Sequence, residues 1–500
     1  MKIRKEFFAI IFILIIASYL RLTDLELTDF RSDEARDWQV ANKISKVEFF
    51  PLTGPSLSIG GNLGPFEYYL FSIPSFFSVH PITGSIFVVL LNIASVYILY
   101  KAGKDFFNEK VGLISALLLA VSSFAILFSR KIWNPDLVSF FFLIFLYSLL
   151  SFAVKKKKIF IIVAAVSLAL LTQLHLTSVF LSISFLVVAL SYKTKLSYFL
   201  IGLLLAALTL SPFLLFETTH NFQNINTFIQ HSGKFSLISK INLEPIRYAS
   251  NLASGKDFDY FLGSMSQEFY GKIIDLEFLF DAMSIVFFFS LIYLVSNILE
   301  IRKKKISKVS FECKKIILSI VFLSIIFPLL FYKSAVYLHY VIAILPLNFL
   351  ILGIFIDWLL SKVQKLKYSQ IFRVCILLFL LTFAIYQIYF ILNFYSFLAE
   401  KGGTGGDYGI TINHKIDAAK FISEQSSSRI VEVSNKVGSK ELYIEYEYLL
   451  KFFGTNLGQS EKKYIIIDSI HEAVNEGELR VLEKFERNDF GPIKVYKEGS

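Results

Sequence analysis

Apolar residues in this chain fall into blocks of roughly 16–24 with Lys or Arg between them, each near the ~20 residues that cross a bilayer core of about 30 Å. Eleven spanning helices are predicted, at 7–22, 82–100, 111–128, 137–154, 159–174, 177–192, 197–215, 277–300, 315–332, 338–357 and 373–395. Helix is the expected form because lipid offers no partner to an unpaired backbone group. One further apolar stretch, 65–79, is short and interrupted by Pro74. It is predicted to lie flat at the interface, aromatic side down. Past residue 401 the pattern changes. GGTGGDYG reads as a flexible linker, followed by a helical pattern at 413–424, a strand at 430–433, a helix at 440–453 and strands at 464–467 and 493–496. The expected architecture is an all-α polytopic membrane domain, 1–400, with a small C-terminal α/β domain, 401–500.

Composition agrees with that pattern. With 55% hydrophobic and 18% charged residues and a mean hydropathy of +0.60, the chain is far from a soluble domain, which is about 25% charged. The formal charge of +10 requires no polyanionic partner. Residues 402–500 hold 13 basic and 16 acidic side chains, a net of −3, so residues 1–401 carry +13. That excess is topological. The N-terminus (Lys2, Arg4, Lys5) and alternate loops (Lys101, Lys104, Lys110; Lys155 to Lys158; Lys193, Lys195; Arg302 to Lys305, Lys308, Lys314, Lys315; Lys362, Lys365, Lys367, Arg373) hold 23 basic residues, whereas the short loops opposite hold Arg130, Lys131 and Lys333. By the positive-inside rule the N-terminus is cytoplasmic, and 23–81, 216–276 and the C-terminal domain face outward. The first helix could instead be a cleaved signal peptide, but no small-residue cleavage site follows it, and a retained helix is preferred. Cys313 and Cys375 lie at the cytoplasmic side and at a span, so no disulfide is expected in the outer domain.

Polar groups placed at a membrane surface are costly and point to function. The first outer loop, LTDFRSDEARDWQVANKI, carries Asp29, Asp33, Glu34 and Asp37 within nine residues. Asp33 and Glu34 open a helical pattern, where the positive end of the dipole keeps an acid ionised and ready to act as a general base. The alternative is a capping acid in a solvated loop. The short loop SRKIWNPD holds Arg130 and Lys131, a basic pair on the side that disfavours one. Either they bind an anion such as a lipid phosphate or they snorkel to headgroups. Trp133 is a sugar platform or an interfacial anchor; Asn134 and Asp136 bind ligand hydroxyls or make the turn. His175, in QLHLT, is a metal or phosphate contact or a hydrogen-bonded structural residue. All seven His (His80, His175, His220, His231, His339, His414, His471) are expected on the outer side, yet none has metal-ligand spacing. No GxGxxG or P-loop is present.

Taken in order, SDEARDWQVANKI, GGNLGPFEYYLF, GKDFFNEKVGLISALLLAVSSFAILFSR, WNPDLVSFFFLIFLYSLL, LALLTQLHLTSVFL and PFLLFETTHNF make the first 220 or so residues resemble C-type membrane glycosyltransferases of the protein O-mannosyltransferase and aminoarabinose-transferase superfamily (glycosyltransferase family 39-like). The resemblance implies transfer of a sugar from a polyprenyl-phosphate carrier to a glycan, lipid or protein acceptor on the outer face, with inversion. It implies Asp33 as general base with Glu34 assisting, and an acid in the second loop, nearest to Asp136. Basic residues or a divalent cation would hold the phosphate; Arg130 and Lys131 match by position, and His175 is the candidate metal contact. Trp133, Asn134, Asp136 and Tyr68 are the expected substrate contacts. The sequence departs from the aminoarabinose transferases in carrying Leu63 and Gly64 where they have Glu-Lys, and the QLHLT turn where many relatives have Lys. A lipid-linked saccharide flippase or transporter and a polysaccharide polymerase are the rival functions. The flippase predicts charges buried mid-helix; the polymerase predicts a large late loop.

Overall fold

A computed structural model describes residues 2–235, 241–300, 311–364, 368–426, 430–437, 439–472 and 474–498. The expected cluster Arg302 to Lys305, with Lys308, Lys365 and Lys367, lies outside the described residues. Every predicted apolar block is helical, in the predicted order. Among the described residues, six helices are individually long and apolar enough to cross a membrane: Pro81–Phe106, Asn134–Lys155, Phe278–Ser296, Phe311–Leu330, Leu338–Val363 and Ser369–Lys401. The pair Leu196–Thr209 and Ser211–Thr219, bent by 67°, makes a seventh if it is one span. Of the remaining blocks, Ile159–Leu174 and Leu176–Ser191 are shorter, Glu109–Val121 with Ser123–Leu127 is broken, and Lys2–Leu22 is 21 residues long but carries charged residues at both ends. The chain is therefore an integral membrane protein, with fewer uninterrupted spans than its eleven blocks. The hydropathy pattern locates apolar stretches but carries no term for a break within one, such as the turn at Ser122, whose hydroxyl accepts from the Ala125 amide.

Two ends of the bundle differ in charge. At one, Glu6 pairs with Lys104, and Asp105 with Lys101 and Lys155. The other gathers the loops after Leu22 and before Asn134, the turn at His175 and the turn before Leu338. There the stretch predicted to lie flat forms Phe66–Phe77, with Glu67, Tyr68 and Phe71 buried and Ile73, Phe76 and Phe77 exposed.

The C-terminal domain packs Ile412–Gln425 and Ile444–Phe452 against a five-stranded sheet. Its strands are β1 (Ile430–Ser434), β2 (Asn456–Leu457), β3 (Lys463–Asp468), β4 (Phe485–Phe490) and β5 (Ile493–Glu498), in spatial order β2-β1-β3-β5-β4. Pairs β1–β2 and β1–β3 are parallel; β3–β5 and β5–β4 are antiparallel. The predicted strands and helices are all present, while β2, β4 and the helix Glu476–Leu482 were not foreseen. Cys313 and Cys375 are not joined in a disulfide.

The glycine-rich segment is the main correction to the fold. It is a docking strap and not a flexible linker. Thr411 bridges Asp29, the Ile412 amide donates to the Thr28 carbonyl (2.8 Å), and the Asp407 amide donates to the Tyr260 carbonyl (3.0 Å). Its glycines serve close approach: a Cβ on Gly406 would stand 2.5 Å from the Phe261 carbonyl oxygen, and one on Gly403 2.6 Å from that of Gly409. Composition alone cannot separate a strap of this kind from a loose tether.

Candidate active site

The helix Ser32–Ser45 sets the geometry. Ala35, Trp38, Ala41 and Ile44 form its buried face, and the Trp38 indole donates to the Val79 carbonyl (2.8 Å). Anchored on that face, its first turn holds two neighbouring acids in opposite environments. Glu34 points inward: its carboxylate lies 3.4 Å from the Lys131 ammonium and accepts from the Arg31 amide at 3.1 Å. Burial opposes ionisation of Glu34, but Lys131, Arg31 and the backbone donors outweigh it and its pKa is lowered. Burial likewise works against Lys131; Glu34 and Asp29 overcome it, and its pKa is raised. Asp29, buried and 2.7 Å from Arg31, is pushed up to about 6 by burial, with Arg31 opposing.

Asp33 points outward. Its side chain is 61% exposed and meets Arg36 at 2.8 Å, while the same guanidinium binds buried Asp37 at 2.8 Å. Behind Asp37 lies Glu67, fully buried, with neither carboxyl oxygen hydrogen-bonded as an ionised acid. Burial first, then the adjacent acid, raises Glu67 well above the usual range; burial opposed by Arg36 raises Asp37 to about 7. A proton shared between Asp37 and Glu67 accounts for the unpartnered second oxygen of Asp37 and both oxygens of Glu67.

Asp33, Trp133 and His339 stand where two cavities of different chemistry meet. One, of about 570 Å³, is polar and lies between the membrane domain and the C-terminal domain; Arg31, Glu34 and Lys131 border it from one side, Lys415, Glu445 and His471 from the other. The second, of about 500 Å³, is largely apolar, bordered by Leu57, Leu63, Val179, Phe180, Phe228 and Leu329, with Arg36 and Asp33 at its polar end. Trp133 stacks on Phe128 with ring centroids 6.2 Å apart, under the Lys131 ammonium at 4.2 Å, and its edge meets His339 at 5.5 Å.

The expected site residues divide accordingly. Asp33, Glu34, Lys131 and Trp133 come together, and Asn134 and His175 border the apolar cavity. Asn134 also donates to the Leu174 carbonyl at 2.5 Å. Arg130 requires correction. It is buried, donates to the carbonyls of Arg21 (3.1 Å), Thr23 (2.8 Å) and Asp24 (2.6 Å) and to the Tyr395 hydroxyl (2.8 Å), and borders neither cavity. It closes the carbonyl end of the first helix, and so does not clamp a phosphate. Tyr68 is buried and likewise away from both cavities. Asp136 is buried beneath Lys131, accepting from its backbone amide at 3.3 Å, and acts on the loop instead of on a ligand.

His175 is held by the Thr177 hydroxyl (2.8 Å), which donates to the Tyr340 carbonyl (2.8 Å). Burial, then His339, pushes it down to about 3, so it is neutral. Its ring lies 5.7 Å from that of His339, yet among the described residues no group of three or more His, Cys, Asp or Glu is arranged to hold a metal ion. Sequence reasoning left open whether the C-terminal domain binds the acceptor or only caps the fold, and it singled out neither that domain's individual residues nor Arg36, His339 and Tyr260 as site residues. Arg36, one helical turn from Asp33, was legible from its i,i+3 spacing; the others meet only through tertiary structure.

Residues 69–216 match the family model of dolichyl-phosphate-mannose-protein mannosyltransferases. Among solved structures, ArnT from Cupriavidus metallidurans bound to undecaprenyl phosphate is similar with a TM-score of 0.60 at 11% identity, over 98% of this chain and 99% of that one. The archaeal oligosaccharyltransferase AglB from Archaeoglobus fulgidus, in complex with an inhibitory peptide and a dolichol-phosphate, is similar with a TM-score of 0.52 at 12% identity, over 99% of this chain and 74% of that one. No curated protein sequence matches. The chain has the fold of these GT-C-type membrane glycosyltransferases.

Proposed function

From the shared fold and the two joined cavities, we propose that this protein is a glycosyltransferase that moves a sugar from a polyprenyl-phosphate carrier to a hydroxyl acceptor on the outer face of the membrane, with inversion. The observation that carries the reading is the position of Asp33, an exposed carboxylate at the junction of a polar and an apolar cavity. An isoprenoid fits the apolar cavity, and the relatives ArnT and AglB were solved with undecaprenyl and dolichol phosphate. The acceptor enters the polar one. Asp33 takes the acceptor proton as the acceptor oxygen bonds to the anomeric carbon, while the bond from that carbon to the phosphate oxygen breaks and polyprenyl phosphate leaves. Arg36, at the polar end of the apolar cavity, receives the departing charge, and Lys131 adds to the positive field. Glu34 keeps Lys131 charged and caps its own helix, which holds Asp33 in place. Trp133 is the platform for the sugar between the cavities. By the positive-inside rule, the basic loops at the opposite end support a cytoplasmic N-terminus and an external C-terminal domain.

The test is transfer by full-length protein in lipid nanodiscs. A panel of radiolabelled polyprenyl-phosphate hexoses and pentoses is incubated with cell-envelope extracts as acceptor. Label should leave the organic phase for an acceptor with inverted anomeric configuration. Transfer from nucleotide sugars alone, or from no member of the lipid-linked panel, refutes the proposal.

A further inference from the structure

Asp33, Trp133 and His339 border both cavities, whereas Arg36 borders the apolar one alone and Lys131 the polar one alone. In the proposed reaction one group has to occupy both spaces at once. The transferred sugar is joined to the lipid phosphate on one side, while the acceptor oxygen approaches its anomeric carbon from the other. A residue shared by the two cavities therefore faces the sugar. Asp33 has the role of base and Trp133 that of platform; His339 has none.

His339 carries a buried nitrogen, Nδ1, with no hydrogen-bond partner among the described residues. Its ring is held in place. It meets Trp133, His175 and Tyr340 edge to face, with centroids 5.5, 5.7 and 5.0 Å apart, and lies parallel to Tyr337 at 5.9 Å with 6° between the planes. The backbone is held as well. His339 belongs to the 3-10 turn Leu338–Ile344, whose Leu338, Val341 and Ile342 are buried. The next carbonyl, that of Tyr340, accepts from the Thr177 hydroxyl (2.8 Å), which meets Nδ1 of His175 (2.8 Å). The QLHLT turn thus fixes the turn that bears His339. A buried nitrogen without a protein partner, set in the wall of a formed cavity, is a place for a polar group of the ligand. A sugar hydroxyl both donates and accepts, so it satisfies the imidazole in either tautomer, whereas an ionised phosphate oxygen only accepts.

Resting on the transfer reading, we propose that His339 is a specificity-determining residue that hydrogen-bonds one hydroxyl of the transferred sugar through Nδ1. Trp133 supplies contact to a face of the sugar ring and does not choose among hydroxyls; His339 makes the choice. A sugar lacking that hydroxyl leaves the buried nitrogen unpaired and is rejected.

Donor binding in the absence of acceptor tests this apart from turnover. Full-length protein in nanodiscs is titrated with the polyprenyl-phosphate sugar that it binds most tightly among the hexoses and pentoses of the labelled panel. The monodeoxy analogues of that donor and free polyprenyl phosphate are titrated alongside. One analogue should bind at least about tenfold more weakly than its parent. His339→Phe keeps an aromatic ring in the box. It should bring the parent and that analogue within about threefold of each other and leave free polyprenyl phosphate at its wild-type affinity. His339→Asn, whose amide can reach the place of Nδ1, should restore part of the preference, which a purely structural role for the ring would not do. His339→Leu takes the place of His339→Phe if the latter does not fold. Equal binding of the parent and all its analogues, a preference that survives His339→Phe, or equal weakening of every ligand with free polyprenyl phosphate included overturns the proposal. A His339-dependent preference in a protein that transfers no label supports the contact and refutes the transfer reading. Transfer of label without any such preference does the reverse, and a failure to bind any lipid-linked sugar refutes both.

Discussion

If Asp33 is the base, replacing it by Asn should separate transfer from stability. The lost ion pair with Arg36 is an i,i+3 contact at 2.8 Å between side chains 61% and 30% exposed. Pairs of that kind contribute about 0.3–0.5 kcal/mol, and the acid's place in the first helical turn adds about 0.3–1 kcal/mol. Asparagine has the same shape, so the folded protein should lose less than about 1.5 kcal/mol. Transfer, by contrast, should fall by about 10²–10⁴-fold, the usual contribution of a positioned base. The neighbouring acid predicts the opposite ratio. Glu34 is buried against Lys131, and Glu34→Gln leaves that ammonium with Asp29 at 4.0 Å as its remaining carboxylate partner. Breaking a buried pair from one side costs about 3–5 kcal/mol. Melting of purified protein and initial rates of label transfer from the lipid-linked donor, measured on both variants, decide the matter. If Asp33→Asn retains more than a tenth of wild-type transfer, the base lies elsewhere. If it melts as far below wild type as Glu34→Gln, its carboxylate is structural.

Three other outcomes follow from the same geometry. Arg36→Ala should raise the apparent constant for the polyprenyl-phosphate donor at least about tenfold, with a smaller change for acceptor; equal shifts in both would remove Arg36 from the phosphate. Arg130→Gln leaves several buried carbonyls of residues 21–24 without their cationic donor and should destabilise by about 3–5 kcal/mol in a melting experiment, while the molecules that fold keep a normal donor constant; a raised donor constant at normal stability would return Arg130 to the site. Because Asp37 is raised to about 7 in the folded chain, the native state binds more protons than the unfolded one, and stability should decline as pH climbs from about 4 to about 7 before levelling. Glu67→Gln should flatten that decline in melting curves collected across the window, and an unchanged slope would show that the buried pair does not share a proton.

The amino-acid sequence by itself determined the membrane class, the eleven apolar blocks, the two-sided charge and the acidic loop, because each depends on residues near one another along the chain. A run of apolar side chains has only helix open to it in lipid, and an Asp-Glu pair before a helical pattern puts two carboxylates on one turn whatever surrounds them. What that turn could not reveal is which acid faces the cavities. Asp33 and Glu34 are one residue apart, so a rotation of about 100° along the helix puts one in the open site and the other against Lys131. Arg130 and Lys131 were equivalent by pattern as well; packing against the first helix buries one among carbonyls and leaves the other at the site. The polar cavity was beyond sequence reasoning, since the helix of Asp33 and the C-terminal wall lie more than 300 residues apart and meet only because a strap of glycines lets the C-terminal domain close onto the loop of Asp29.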